Sequence, residues 1–138
     1  MSGAGPVPDA VLARLRDRSS ATRIAVVGAS ANPAKYGHII VGNLLGKGYT
    51  VLPVNPSEAT IHGLPVLRSV AEAQDPVHVV DFVTPPRVTL AAVQALAPRR
   101  FPVLWFQDGS FDDAVLAAAA PFPWVVHHAC IMVVTNWA

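Results

Sequence analysis

The residues with the most readable chemistry follow a short apolar run. RIAVVG, residues 23–28, ends in Gly28, and Ser30, Asn32 and Lys35 come next in the stretch ASANPAK. A glycine closing a strand, side chains that can donate hydrogen bonds and the free amides at the start of a following helix together make an anion site, with phosphate the favoured anion. A plain strand-to-helix connection is the alternative. The spacing differs from the usual dinucleotide fingerprint: the next glycine after Gly28 is Gly37, so G-x-G-x-x-G is absent.

A second loop discriminates between nucleotides. NAD sites place an acidic residue at the end of the second strand to bind the ribose hydroxyls. Here that position reads Pro53, Val54, Asn55, Pro56, with Glu58 only nearby. The missing carboxylate disfavours NAD and suits a nucleotide with a phosphate on its ribose, NADP or coenzyme A (CoA). A simple Pro-rich turn explains the prolines equally well.

Other reactive residue types carry less. The five histidines suggest a metal, yet His127 and His128 are neighbours on an expected strand and should point to opposite faces, while His38, His62 and His78 lie in separate elements. No metal site is expected. Ser30 lacks the second glycine of a nucleophile elbow. Asp81 falls inside a buried strand, where a bond to a neighbouring loop is expected before a catalytic role. Asp108, Asp112 and Asp113 are read as turn and cap residues, and Trp105, Trp124 and Trp137 as core or interface. Cys130 is the only cysteine, which excludes an intramolecular disulfide. Burial as an inert thiol is the commoner use of such a residue.

These residues need elements to position them. Asp9 is expected to cap a lead-in helix with Val11, Leu12 and Leu15 inward and Arg14, Arg16 and Arg18 outward. Apolar residues at helical spacing run from Tyr36 to Lys47, before Gly48. TVLPV, VHVVDFV, FPVLWF and WVVHH read as further strands. Ile61 to Leu67 reads as a broken extended segment, and Ser69 with Glu72 as a capping box. Thr84 is expected as N-cap with Pro85 at the first helical position, the helix running through Leu96. Another helix is expected from about Asp112 to Ala120. Alternating strands and helices predict an α/β fold, a doubly wound, Rossmann-like parallel sheet in a single domain over residues 21–138, preceded by an N-terminal segment and lead-in helix over 1–20.

Composition sets the outer bounds. Of 138 residues 52% are hydrophobic and 14% charged, enough for a compact core. A formal charge of +1 gives no broad basic surface for nucleic acid or membrane. No apolar run reaches the roughly 18 residues of a membrane helix. The start, MSGAGPVPDA, has neither a basic nor an apolar signal segment, so a cytoplasmic location is expected. An exposed apolar tail, CIMVVTNWA, is expected to favour a homodimer.

The run VVGASANPAKYGHIIVGNLLGKGYTVLPVNPSEATIHGLPVLRSVAEA, with VHVVDFVTPP after it, resembles the small bacterial CoA-binding proteins. It is also similar to the CoA-binding domain of succinyl-CoA synthetase α subunits and ADP-forming acyl-CoA synthetases. The similarity runs from about Arg23 to Cys130. It implies that CoA phosphates are held by Gly28, Ser30, Ala31 and Lys35. Asn55 and Pro56, with Val83, Thr84, Pro85 and Arg87, are then the residues that flank the nucleotide. Because the protein is nearly neutral, Lys35 and Arg87 are the expected local positive charges. The synthetases carry a second domain with a phosphorylated histidine, for which this length leaves no room, so binding of CoA or an acyl-CoA without catalysis is expected: a carrier, a sensor or a detached subunit. An NAD(P)-binding redox sensor or oxidoreductase is the alternative. In the usual strand order the last strand lies three places from the first, about 14 Å at roughly 4.8 Å per strand, within reach of a pantetheine arm. Cys130 is on that ground a thiol contact for CoA.

Overall fold

The computed structural model describes residues 7–137. Helix α1 (Asp9–Arg16) leads into β1 (Arg23–Val27), α2 (Tyr36–Gly46) and β2 (Thr50–Val54). A small hairpin, β3 (Thr60–Ile61) and β4 (Leu64–Pro65), and one 3-10 turn (Val70–Glu72) precede β5 (Val79–Phe82) and α3 (Pro86–Gln94). The chain continues through β6 (Val103–Phe106), α4 (Asp113–Ala119), β7 (Trp124–His127) and α5 (Ile131–Val134). The main sheet has five parallel strands in the order β2-β1-β5-β6-β7. The order reverses between β1 and β5, so the crevice between them opens at the strand ends marked by Gly28 and Val83.

Strand alternation sorts the core into two layers. Ile24 and Val26, Val79, Val103 and Trp105, and Val126 pack on one face with α1, α2 and α5. Ala25 and Val27, Val80 and Phe82, and Leu104 and Phe106 pack on the other with α3 and α4. Both faces are covered, which is why these runs are apolar without interruption. Asp81 is the exception, fully buried between Val26 and Trp105 on the α2 and α5 side.

Several expectations change. Asp9 is not a cap: Pro8 holds the N-cap position and Asp9 is the first helical residue. Residues 1–6 of the expected N-terminal segment lie outside those described. As expected of its inward face, α1 buries Val11 and Leu15 in the main core, and the Leu15 carbonyl accepts a hydrogen bond from the Tyr49 hydroxyl. Thr84 does not cap α3. Pro85 does, in an extended conformation (φ −59°, ψ 154°), because a residue before a proline is pushed out of the helical region and Pro86 follows it. Thr84 Oγ1 instead sits 2.7 Å from Thr89 Oγ1. The helix ends at Gln94 rather than Leu96. The broken segment is the β3–β4 hairpin, turned by His62 and Gly63 at φ 51° and 75°, as two-residue hairpins require.

The apolar tail is not an exposed face. Ile131 is buried, and Met132, Val134 and Trp137 pack on the core, leaving Val133 as the exposed apolar side chain. Lys47 Nζ fastens the segment, donating to Met132 O at 2.7 Å and Thr135 Oγ1 at 2.9 Å. Among the described residues, no helix is long and apolar enough to cross a membrane.

Candidate functional site

The site is built where the first loop meets α2. Gly28 closes β1 at φ 95°, and a Cβ there would lie 2.8 Å from Val83 Cγ2 and 2.9 Å from Thr84 Cγ2. Gly37 is tighter still: its Cβ would fall 2.0 Å from Gly28 O. The helix start is thus pressed onto the strand end, which only glycine permits. The His38 and Ile39 amides both turn back to Lys35 O, at 3.1 and 3.3 Å, so the amides of Tyr36 and Gly37 are the ones left at the positive end of the helix dipole beside the loop.

Loop side chains assigned to the ligand mainly hold the loop. Ser30 Oγ accepts from Asn32 N at 3.0 Å, and Asn32 Oδ1 accepts from Ala34 N at 3.0 Å. His38 Nδ1 lies 2.9 Å from Ser30 O. Asn55 ties the two loops together, donating through Nδ2 to Ala29 O at 2.8 Å while its Oδ1 accepts from the amides of Ser57 and Glu58. Asn55 and Asn32 thus also brace the frame.

Beside this frame lies a cavity of about 380 Å³. Its walls are Val27, Gly28, Val54 and Pro56 from the sheet side, Ser69 to Ala71 from the 3-10 turn, and Thr84, Val88, Ala91, Ala92, Ala95 and Leu96 from the α3 side. The lining is apolar, with Arg68 the charged residue in it; Arg68 Nη1 donates to Pro56 O at 3.0 Å. Of the residues expected to bind, Gly28, Pro56 and Thr84 line this space. Ser30, Ala31, Lys35, Asn55, Val83, Pro85, Arg87 and Cys130 do not. Lys35 is exposed at the N-cap of α2, and Arg87 is exposed in the first turn of α3. Arg68 was missed. So was the role of Val88, Ala91, Ala92 and Ala95, although their spacing along one helix face was the available signal.

The far side of α2 carries a second constellation. The hydroxyl of Tyr36, the first residue of the helix, is 3.0 Å from Cys130 Sγ. Cys130 is half-buried as the N-cap of α5, and is held there by Gln107 Oε1, which accepts from Ile131 N at 3.1 Å, and by Trp105 Nε1 donating to Ala129 O at 2.8 Å. Partial burial pushes the Cys130 thiol up, but hydrogen bonds from Tyr36, the amides of Val133 and Met132, and Gln107 outweigh it and bring the thiol below its usual value. Burial, with the thiolate bond second, pushes the Tyr36 hydroxyl up.

Asp81 is on the same sheet face, next to Trp105. Neither carboxyl oxygen has a hydrogen-bond partner among the described residues, against the expected loop bond. Burial first, and then the Cys130 charge, raise its carboxyl well above the aspartate range. His127 and His128 also depart from expectation: β7 ends at His127, His128 turns at φ 60°, and both rings meet Phe111, with their own centroids 4.5 Å apart. Among the described residues no three His, Cys, Asp or Glu side chains converge as a metal would require.

The family described as CoA binding domain matches residues 22–136, from the end of the α1 connection to the tail. The chain belongs to this family. It is 29% identical over 91 residues to the uncharacterized protein YneT of Bacillus subtilis (strain 168), covering 66% of this chain and 67% of that protein. Among solved structures, a conserved hypothetical protein from Pyrococcus furiosus is 44% identical at a TM-score of 0.76, covering 81% of this chain and 97% of that one. A hypothetical protein from Pyrococcus horikoshii OT3 is 30% identical at 0.78, covering 93% and 89%. Membership supports CoA binding in general and agrees with the Rossmann-like sheet.

Proposed function

We propose that this member of the CoA-binding family holds CoA or an acyl-CoA across the β1–β5 crevice, as a carrier or sensor rather than as a catalyst of acyl activation. The observation that carries this is the apolar cavity opening directly beside the Gly28 loop and the amide end of α2. Its size and walls suit an adenine ring and ribose. The diphosphate then falls on the α2 amides, with Lys35 above them, and Arg68 is the group placed for the ribose phosphate. Tyr36 belongs to both halves of the site, because its backbone opens the helix while its side chain reaches Cys130. A pantetheine arm leaving the helix end is thereby directed toward the thiol.

Lys35→Ala should weaken CoA binding by about 1 to 2 kcal/mol, as the loss of one charge-assisted phosphate contact does. Arg68→Ala should lose a similar amount for CoA but little for dephospho-CoA, which lacks the ribose phosphate; Arg87→Ala should have the smallest effect. Calorimetric titration of the three variants with both ligands checks this. Equal losses for CoA and dephospho-CoA in Arg68→Ala overturn its assignment. In direct competition CoA should outbind NADH by at least about tenfold, since Val54 and Asn55 stand where an NAD site has its carboxylate. Tighter binding of NADH places the protein among nicotinamide-dependent sensors or oxidoreductases instead.

A further inference from the structure

We infer that Cys130, Tyr36 and Asp81 form a thiol–disulfide exchange centre that captures the sulfur end of CoA when it arrives as CoA disulfide. The inference rests on the CoA reading and adds a covalent, redox-dependent step to it.

Three observations meet at this point. Cys130 is half-buried, and its sulfur stays within hydrogen-bond reach of a hydroxyl on an element of its own ligand crevice. Tyr36 is 44% exposed, so the pair is open to a ligand arm. Asp81 is independent of both. It is fully buried, on the sheet face that α2 and α5 cover, and both its oxygens lack a partner. It pairs across to Trp105, whose Nε1 donates to Ala129 O, the residue before Cys130, so the carboxyl lies on the sheet face that the Cys130 segment covers. A buried polar group without a partner is unusual and calls for one.

The chemistry balances without another reagent. Cys130 gives its proton to water and attacks one sulfur of CoA disulfide as the thiolate, with Tyr36 donating to it. The CoA–CoA bond breaks as the Cys130–CoA bond forms. The other CoA leaves as thiolate and takes a proton from water. Cys130 is oxidised, the departing CoA sulfur is reduced, and one disulfide replaces another.

Intact mass spectrometry of the native chain after brief incubation with CoA disulfide, run beside glutathione disulfide, tests this. The expected result is a single CoA adduct, removed by reductant, absent in Cys130→Ser, and formed at least about tenfold faster than the glutathione adduct because binding raises the local concentration. Tyr36→Phe should slow the reaction by roughly fivefold with either disulfide by reducing the thiolate fraction. Its pH profile should move upward in that variant; the titratable groups acting on the thiol are Tyr36, Asp81 and Lys47. No adduct on a protein that still binds CoA by calorimetry overturns the inference. Equal rates with the two disulfides overturn delivery by the crevice. If CoA shows no reversible binding but both disulfides label Cys130 in a Tyr36-dependent way, the CoA reading fails and the exchange centre stands.

Discussion

Gly37→Ala will remove CoA binding and lower the unfolding free energy by about 3 kcal/mol or more, the upper range for overpacking. The added Cβ would sit 2.0 Å from the backbone oxygen of Gly28, and a carbonyl in a strand end has no rotamer with which to yield. Either α2 lifts from the loop or β1 shifts. Both movements displace the helix amides on which the phosphates are to rest. Gly46→Ala is the matched control, since a Cβ at Gly46 meets nothing within 4 Å and that residue is exposed at the last turn of the same helix. It should stabilise the protein by about 0.5 to 1 kcal/mol, the helix preference of alanine over glycine, and leave CoA affinity unchanged. Urea unfolding and CoA titration of the two variants separate packing at the loop from a general sensitivity of α2.

Asp81→Asn is expected to stabilise the protein, and increasingly so as pH rises. The folded state holds the Asp81 carboxyl protonated above the ordinary aspartate value of 3.8, mainly because burial disfavours its charge. Above that value the unfolded chain has released the proton while the folded chain keeps it. The folded state then binds more protons, and stability falls with pH by up to about 1.4 kcal/mol per unit until the folded carboxyl itself ionises. Asparagine occupies nearly the same volume and cannot ionise, so this slope disappears in the variant. Two histidines act in the opposite sense. His78 and His127 are held below their usual value, first by burial, so each adds stability as pH rises through the histidine range. Subtracting the variant's unfolding free energy from that of the parent at pH 5 and at pH 8 cancels both. A gap that widens at the higher pH is the expected result; an equal gap at both shows that Asp81 is ionised in the folded protein.

The sheet was legible in the sequence because strands buried on both faces leave apolar runs, and RIAVV and VLWF say so without help from their neighbours, as does VVDF apart from Asp81. Local backbone rules were legible where a single residue decides. The Ser69–Glu72 capping box formed as its spacing requires, whereas α3 begins one residue later than expected because Pro86 controls the conformation of Pro85. The site was legible only as a loop. Gly28, Pro56 and Thr84 mark the cavity edge, but its wall comes from α3 and from Arg68, which lie distant in sequence and whose shared surface is a product of the crossover. Asn55, which the family resemblance puts beside the nucleotide, also bonds to Ala29 O and so ties two loops together, a link with no local signal in the sequence. The pairing of Tyr36 with Cys130 spans 94 positions and has no local signal.

The most direct test fills the cavity. Ala91 lies on the exposed side of α3 and lines the space beside Gly28, so Ala91→Phe should occupy the proposed nucleotide seat without disturbing either core layer. Isothermal titration of CoA into the parent and into this variant should give saturable binding of one CoA per chain in the parent. In the variant affinity should fall by at least about tenfold, the loss expected when a pocket wall excludes the ring it was shaped to hold, while the unfolding midpoint is retained. Undiminished CoA binding in a folded Ala91→Phe protein contradicts the account.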